Sequence, residues 1–182
     1  MLELSLNVLD VAENSVSAGA DVITITVEEE RPRDLLTITI LDNGRGMTPE
    51  QINRVCDPFY TTRTTRKVGL GVPLFKMAAE MSGGSFSIES ELSKYTKVTA
   101  SFGLSNVDRM PLGDMASTMC SLIGCNPTIR FIYRCRVDEK AFTLDTDELR
   151  QTLQDVPLNE PEVLQWIREY IHENTEEIHG GA

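Results

Sequence analysis

The sequence predicts an α/β (α+β) protein, and three patterns along the chain indicate this fold class. Residues 2–18 place leucines and valines on one side of a 3.6-residue period and polar residues on the other, which is typical of an amphipathic helix. Residues 21–29 and 35–42 alternate β-branched side chains with threonine, which is typical of strands. The character of the sequence changes from Asn106, so we expect a main domain at 1–105 and a C-terminal appendage at 106–182.

The remaining elements follow in order along the chain. A charged turn with Pro32 joins the first two strands into a predicted hairpin. After a glycine-rich turn and a polar stretch rich in Thr and Arg, a helix is predicted in which four apolar residues share one face: Leu70, Leu74, Met77 and Met81. Further strands are predicted at 85–90, 97–104, 128–137 and 140–145, and further helices at 115–123, 146–156 and 159–177.

Composition restricts the partners and the location of the protein. The chain of 182 residues has 17 Lys and Arg against 28 Asp and Glu, a formal charge of −11. Because affinity for a phosphate backbone comes mostly from clustered cations, we expect no nucleic-acid partner. No apolar stretch approaches the roughly 20 residues of a membrane span, and no signal peptide is recognisable, so we expect a cytoplasmic protein without a membrane partner. The four cysteines lack C-x-x-C spacing, which indicates reduced, mostly buried thiols instead of a zinc ribbon or disulfide framework.

The polar face of the first helix carries an unusual pair of side chains. Asp10 and Asn14 lie four residues apart, and no cation precedes Arg31. A carboxylate and an amide without a neighbouring Lys or Arg would suit a triphosphate with Mg²⁺, which prefers hard oxygen ligands. Taken alone, the pair is better explained by a solvated helix face, which is the usual meaning of a polar stripe.

A second candidate site lies at the start of the second predicted helix, the one that carries Leu70 and Leu74. Gly69 and Gly71 open that helix, and a helix N-terminus presents free N–H groups and a positive dipole end to an anion. Arg63, Arg66 and Lys67 add cations in an otherwise acidic protein. The pattern favours phosphate binding, with a solvated basic loop as the alternative.

Four motifs in order resemble the Bergerat ATP-binding fold of the superfamily that contains gyrase, heat-shock chaperone ATPases, histidine kinases and mismatch-repair ATPases. DVAENSVSAGA resembles the N box, DNGRGM the first glycine box, DPFYTT the F box of histidine kinases, and GLGVPLFKMAAEMSGGSFSIES their second glycine box. The resemblance covers about residues 1–104. It implies a two-layer sandwich with a mixed sheet and helices on one face.

The resemblance also implies ATP and Mg²⁺ as cofactors. Asn14 is implied as the metal ligand, and Asp42 as the acceptor for the adenine amino group, although Asp-Asn-Gly alone is also strong turn chemistry. The expected cofactor-binding residues are Asn14, Asp42, Gly44, Gly46, Met47, Thr61, Thr62, Arg63, Lys67, Gly69, Leu70, Gly71 and Thr96. The sequence departs from the pattern where Lys67 replaces the first glycine of the second box and Tyr95 replaces a glycine before Thr96.

Asp10 is the predicted catalytic residue. Gyrase-like and mismatch-repair ATPases that this helix resembles have a glutamate at this position as general base, whereas sensor kinases often have an asparagine. One helical turn from Asn14, Asp10 is expected to orient or deprotonate a water or an incoming hydroxyl. The alternative is a carboxylate that only holds Mg²⁺-bound waters.

The resemblance implies an ATP-binding regulatory protein, a histidine-kinase-like ATPase or protein kinase that acts on a partner protein. The chain starts directly in the N-box helix, and His172 and His179 lie in the acidic tail without phosphoacceptor surroundings, so we expect any phosphoacceptor on another protein. One alternative is a nucleotide-sensing module that does not hydrolyse ATP and docks through its acidic C-terminal helices. A second alternative, less favoured, is a mismatch-repair-type ATPase.

The early start of the chain leads to one structural expectation. Proteins of this kind normally place a strand before the N-box helix, and no residues remain here to form it. The sheet would then have an unpaired edge, which proteins tend to cover. We therefore expect the hairpin at 128–144 to extend or cap the sheet.

Overall fold

The computed structural model describes residues 3–59 and 70–180. Within them, six strands form one mixed sheet in the order β3-β4-β2-β1-β5-β6. The strands are β1 Val22–Glu30, β2 Leu35–Asp42, β3 Phe86–Glu91, β4 Tyr95–Gly103, β5 Arg130–Val137 and β6 Lys140–Asp145. The helices are α1 Leu4–Ser17, α2 Pro49–Cys56, α3 Gly71–Met81, α4 Met115–Cys125, α5 Thr146–Leu153 and α6 Pro161–Ile178. The α/β two-layer fold predicted from the sequence is confirmed.

Alternation along the central strands builds one buried face. In β1, Ile23, Ile25 and Val27 are buried, and the residues between them are only partly covered. The same period continues in β2, β4 and β5. Since successive side chains of a strand point to opposite faces, the helices cover one face of the sheet and leave the other partly exposed.

Helix α1 lies at the centre of the helical layer. It contacts α3 on one side and α4 on the other, and its apolar residues Leu4, Val8 and Val11 are buried against the sheet. The α4 side is fixed by Thr118, whose hydroxyl donates to the Ser5 carbonyl at 3.0 Å. The position of α1 matters for function because its polar face carries Asp10 and Asn14.

Hairpin β5–β6 extends the sheet at its β1 edge, as expected from the sequence. β5 pairs with β1 in parallel, from Val22 opposite Arg130 to Glu29 opposite Val137, and β6 pairs with β5 antiparallel. The boundary between 1–105 and 106–182 stays a prediction, because the sheet runs through both parts.

Helix α2 was not predicted from the sequence. Thr48 caps it: its hydroxyl accepts from the Gln51 N–H at 3.2 Å, and the Gln51 side chain accepts from the Thr48 N–H at 2.8 Å. Pro49 occupies the first turn. Thr-Pro-Glu-Gln is the sequence of a capping box with proline at N1, and this signal could have located the helix start.

Helix α3 forms where predicted, but its shared apolar face is not the buried one. Val72, Phe75 and Ala79 face the core, and Phe75 contacts the rings of Phe86 and Phe102. The face predicted from the sequence is exposed, from 37% at Leu74 to 60% at Met81. Because α3 is apolar on almost all sides, its periodicity fits two different faces and does not identify the buried one.

All four cysteines lie in the described residues and are free. Cys120 and Cys135 are buried, Cys56 is half-buried and Cys125 is exposed, so the expectation of mostly buried thiols holds for two of the four. Burial raises the pKa of Cys135 to about 11, which keeps this thiol protonated and unreactive at neutral pH.

Helix α6 is the longest of the described helices, with 18 residues. It packs on α4 and β6 through Val163, Ile167 and Ile171. Neither it nor another described helix is long and apolar enough to cross a membrane.

Candidate functional site

A cavity of about 280 Å³ opens between α1, β2, β4 and the loop after β2. Its described lining is mainly apolar, with a few polar groups, which is the usual make-up of a small-molecule site. The lining residues are Val11, Asn14, Ser15, Ser17, Ala18, Asp42, Arg45, Gly46, Met47, Val55, Val72, Ile88, Thr96 and Val98. The cavity thus brings together five residues predicted from the sequence: Asn14, Asp42, Gly46, Met47 and Thr96.

Asp42 is the buried carboxylate of this cavity. It ends β2 with 5% of its surface exposed. Its Oδ2 accepts from the Ser15 hydroxyl at 2.5 Å, and its Oδ1 accepts from the Gly44 N–H at 2.8 Å. Each carboxylate oxygen can accept more than one hydrogen bond, so Asp42 is held in place with acceptor capacity left for a ligand.

Two glycines allow the loop after β2 to pass close to neighbouring backbone. A Cβ on Gly46, which has φ +72°, would come within 2.1 Å of the Glu91 carbonyl oxygen. A Cβ on Gly44 would lie 2.8 Å from the Ala18 Cβ. Gly44 is not a lining residue of the cavity; it orients Asp42 through its N–H.

Arg45, between these glycines, ties the loop to α1. Its guanidinium donates to the Ser17 carbonyl at 2.6 Å, and its N–H donates to the Ala18 carbonyl at 3.0 Å. A cation at the C-terminus of a helix is favourable because the last carbonyls carry partial negative charge. Arg45 therefore fixes the C-terminal end of α1 beside the cavity.

Ser90 connects the loop with Thr96 and was missed by sequence reasoning. Its hydroxyl accepts from the Met47 N–H, donates to the Tyr95 carbonyl and contacts the Thr96 hydroxyl, each at 2.8 Å. Ser90 lies opposite Thr96 in the β3–β4 register. Only that register could have revealed this role, because Ser90 is one of several serines in a strand of ordinary appearance.

Ser15 was also missed, although it follows Asn14 directly in the N box. Its hydroxyl donates to Asp42, as described above, and it is 4% exposed. Asp42 is 27 residues away in the chain, so this contact depends on the packing of α1 against β2.

The polar face of α1 runs from the cavity toward α3. Asn14 lines the cavity, and Asp10 lies one turn earlier, beside the first residue of α3. A Cβ added to Gly71 would be 3.0 Å from the Asp10 Cβ, so a glycine permits this close approach. Asp10 and Gly71 are not among the described lining residues of the cavity.

Leu70 is a further predicted cofactor-binding residue. Leu70 precedes α3, is 37% exposed and does not line the cavity. Five predicted cofactor-binding residues lie outside the described residues: Thr61, Thr62, Arg63, Lys67 and Gly69.

Neither histidine lies at the cavity. The His172 ring contacts Asp114 at 3.2 Å, and the His179 ring contacts Glu29 at 2.8 Å. In residues 3–59 and 70–180, no group of three or more His, Cys, Asp or Glu side chains is arranged to hold a metal ion. A metal at Asn14 would therefore need ligands from outside this set, such as phosphate oxygens.

Comparison with known proteins is consistent with this geometry. Residues 1–106 match the family described as histidine kinase-, DNA gyrase B-, and HSP90-like ATPase. The matched range contains Asp10, Asn14, Asp42 and Thr96.

Individual relatives are similar over part of their length. Over 101 residues, the chain is 40% identical to the sensor protein SrrB of Staphylococcus aureus strains NCTC 8325 / PS 47 and COL; the match covers 53% of this chain and 17% of SrrB. The crystal structure of the N-terminal domain of a DNA repair protein superposes with a TM-score of 0.54 at 16% identity, covering 80% of this chain and 53% of that one. The structural likeness supports the fold alone.

Proposed function

The chain belongs to the family of histidine kinase-, DNA gyrase B-, and HSP90-like ATPases, and on this premise we propose that it binds Mg²⁺-ATP in the α1–β2–β4 cavity to act on a partner protein. We propose that it is a regulatory ATPase or protein kinase of the histidine-kinase-like type. Because the chain spans only 17% of the sensor protein that it matches, the activity and partners of that whole protein are not carried over.

The single observation that carries this proposal is the buried Asp42. A carboxylate that is 5% exposed, with each oxygen already receiving one hydrogen bond, is a fixed acceptor at the base of an apolar cavity. Adenine presents an amino group at C6, whereas guanine presents a carbonyl there. A fixed acceptor opposite C6 therefore suits the amino group of adenine, whereas the carbonyl of guanine would place two acceptors against each other there.

Asn14 and the start of α3 fit the phosphate end. Asn14 offers an amide oxygen at the cavity, and an amide oxygen is a hard ligand of the type that Mg²⁺ takes together with water and phosphate. Bound there, Mg²⁺ would neutralise phosphate charge. The first N–H groups of α3, at Gly71 and Val72, have no partner within the helix and suit a phosphate oxygen.

We propose Asp10 as the residue that accepts a proton from the attacking group. It is on the same face of α1 as Asn14, one turn away, and it lies beside the N-terminus of α3. An ionised carboxylate can accept a proton from water or from a hydroxyl.

Action on a partner is supported by the exposed apolar face of α3. Leu74, Met77 and Met81 are between 37% and 60% exposed, and they follow the helix start that borders the phosphate end. Contiguous exposed apolar side chains commonly mark a protein interaction site. A partner bound on this face would be close to the transferable phosphate.

A second candidate function is nucleotide sensing without hydrolysis. The observation that favours it is that Asp10 is not a lining residue of the cavity. If Asp10 stays outside the cavity when ATP is bound, its carboxylate would not reach the attacking group. The two candidates differ in phosphate release, not in ATP binding.

The test is a titration with Mg²⁺-ATP and Mg²⁺-GTP, followed by phosphate release at saturating ATP. We expect the parent chain to prefer ATP, and Asp42→Asn to lose at least about tenfold in ATP affinity, because a charge-assisted acceptor is replaced by a neutral amide. Asp21→Asn is the matched control, since it removes the same charge from an exposed side chain. Equal ATP affinity in Asp42→Asn and the parent would contradict the proposed adenine site.

Asp10→Asn distinguishes the two candidate functions. If Asp10 is the base, the variant should bind ATP within a few-fold of the parent and release phosphate about 10²-fold more slowly. ATP binding without measurable phosphate release or transfer in the parent chain would favour nucleotide sensing.

A further inference from the structure

An apolar groove lies between α5 and α6, on the β6 side of the sheet and away from the nucleotide cavity. It has a volume of about 380 Å³. The lining residues are Leu149, Thr152, Leu153, Glu162, Val163 and Trp166. We call it the α5–α6 groove. Four of its six lining side chains are apolar, and an exposed apolar patch of this kind commonly marks a binding surface.

Trp166 forms the exposed wall of the groove. Its side chain is 47% exposed, and its ring stacks on Tyr170 with centroids 5.0 Å apart and an interplanar angle of 19°. Tyr170 is held in turn: its hydroxyl donates to the Thr143 carbonyl at 3.4 Å, and its ring meets Phe142 edge-on at 6.0 Å. The tryptophan is thus supported from behind, and a supported tryptophan at a surface is typical of a binding hot spot.

The charge around the groove has one sign. Residues 146–178 contain nine Asp and Glu and only two cations, Arg150 and Arg168. This segment therefore contributes −7 of the total −11. It is a strongly acidic part of the chain, and one of its acidic residues, Glu162, lines the groove.

The two cations are already occupied. Arg150 pairs with Asp147 and donates to the Pro127 and Ile129 carbonyls, at 2.6 and 2.8 Å. Arg168 donates to the Ser117 hydroxyl at 2.8 Å.

Two acidic residues at the groove, the lining residue Glu162 and Glu148 next to the lining residue Leu149, have no such close partners. Glu148 and Glu162 are exposed, and neither forms an ion pair with another described residue. The groove consequently presents net negative charge to an approaching molecule, which Arg130 offsets at Glu148 only through a longer-range attraction.

The exposed face of α3 differs in charge. There, Lys76 and Glu80 form an ion pair at 2.9 Å, so the helix surface has no net excess of either sign. A cationic partner has no electrostatic reason to prefer α3, whereas it does at the α5–α6 groove.

We propose that the α5–α6 groove binds a basic amphipathic helix of a partner protein. Aliphatic side chains at i, i+3 and i+4 spacing would fill the space beside Trp166, and flanking lysines or arginines would meet Glu148 and Glu162. This surface is separate from the nucleotide cavity, so the proposal does not depend on ATP turnover.

The probe is a synthetic 14-residue helix of leucine and lysine, compared with a leucine and glutamate peptide of the same apolar face. Trp166 is the only tryptophan, so its emission reports on the groove directly. We expect a saturable blue shift with the lysine peptide, weaker at high salt, and at least about tenfold weaker binding of the glutamate peptide.

Three variants of the full chain locate the binding by isothermal titration. Trp166→Ala should weaken binding of the lysine peptide by at least about tenfold. The matched control Met77→Ala, on the exposed face of α3, should leave the affinity for this peptide unchanged. The double variant Glu148→Gln with Glu162→Gln changes only exposed side chains. It should bind more weakly and show a smaller dependence on salt, which a lost hydrophobic contact would not produce.

Three results would overturn the proposal. The first is binding lost in Met77→Ala and kept in Trp166→Ala, which would place the peptide on α3. The second is sedimentation that shows self-association removed by Trp166→Ala, since the occupant would then be a second copy of this chain. The third is a Trp166 blue shift with phosphatidylcholine vesicles and none with the lysine peptide, since the groove would then bind lipid.

Discussion

The two halves of the sheet are held in place by different kinds of interaction. On the nucleotide side, the Ser15–Asp42 contact joins α1 to β2, and a small hydroxyl network that includes Ser90–Thr96 joins β3 to β4. On the C-terminal side, β5 is fixed by ion pairs between elements. Arg130 binds Asp145 with two hydrogen bonds, at 2.6 and 3.1 Å, and Arg136 pairs with Glu28 of β1 at 3.1 Å.

The difference corresponds to what each side has to do. A binding cavity needs polar groups with unused hydrogen-bonding capacity, and a charged pair within it would use that capacity. A hairpin added to the edge of the sheet needs contacts that fix its register, and bidentate arginine–carboxylate pairs do so. The Arg130 guanidinium, opposing the effect of burial, lowers the pKa of Asp145, which keeps that pair charged.

The nucleotide side should be the more sensitive to added volume, and Gly46→Ala is the change with the largest expected effect. Its Cβ would lie 2.1 Å from a backbone oxygen at φ +72°, so the loop after β2 must move. We expect a loss of about 3 kcal/mol or more in the free energy of unfolding, the scale of strained substitutions, measured by urea denaturation.

Gly19→Ala is the matched control for this substitution. Gly19 has φ +78°, but a Cβ there would meet no atom within 4 Å. It should cost only about 1 kcal/mol, the price of the left-handed backbone alone. Equal losses in both variants would mean that the close approach of Gly46 to β3 does not matter.

The sequence predicted the elements better than their faces. Strands β1, β2 and β5 were recognisable because alternating apolar residues indicate a strand and also identify its buried face. Helix α3 was ambiguous because both of its sides are apolar, and the Leu74, Met77 and Met81 face proved to be exposed. Packing against α1 and β4 decides that question, and neither contact is local in sequence.

The candidate site was predictable only where a motif places its residues. Asn14, Asp42 and Thr96 line one cavity, because each lies in a short segment whose backbone sets its position, while their contact with the cofactor stays a prediction. Ser15 and Ser90 were missed because their partners, Asp42 and Met47, are 27 and 43 residues away. Asp10 was expected beside Asn14, and its contact with the start of α3 appeared only in the fold.

A smaller effect is expected from Ser90→Ala, which tests the hydroxyl network. It removes the acceptor of the Met47 N–H and the partner of the Thr96 hydroxyl, so the wall of the cavity is held less firmly. A lost hydrogen bond of this kind is worth about 1 kcal/mol, or roughly fivefold in ATP affinity.

Calorimetric titration of ATP into Ser90→Ala, Ser90→Thr and Ser87→Ala measures this effect. Ser90→Thr keeps the hydroxyl and should restore affinity. Ser87→Ala, on the exposed side of the same strand, should have no effect. If Ser90→Ala lowers stability but leaves ATP affinity unchanged, the network supports the sheet and not the ligand.

The smallest expected effect concerns His179, which ties the end of α6 to β1. Its Nε2 contacts Glu29 at 2.8 Å and its Nδ1 contacts the Thr175 carbonyl at 2.8 Å. Both partners are acceptors, and only the protonated ring can donate from both nitrogens at once. Burial lowers the pKa of His179, but these two contacts outweigh it, so the pKa is raised overall.

Because the pKa of His179 is higher in the folded chain than in the unfolded one, protonation favours folding. The contribution is fully present below the ordinary histidine pKa and is lost as pH rises through the raised value. His179→Gln should therefore cost more stability at pH 5.5 than at pH 8.5, by less than about 1 kcal/mol, since the ring is 34% exposed and the pair is screened by solvent. Urea denaturation at the two pH values measures the difference, and combining Glu29→Gln with His179→Gln should remove the pH dependence that this pair contributes. A cost that grows with pH would show that the neutral ring is the form that holds α6 to β1.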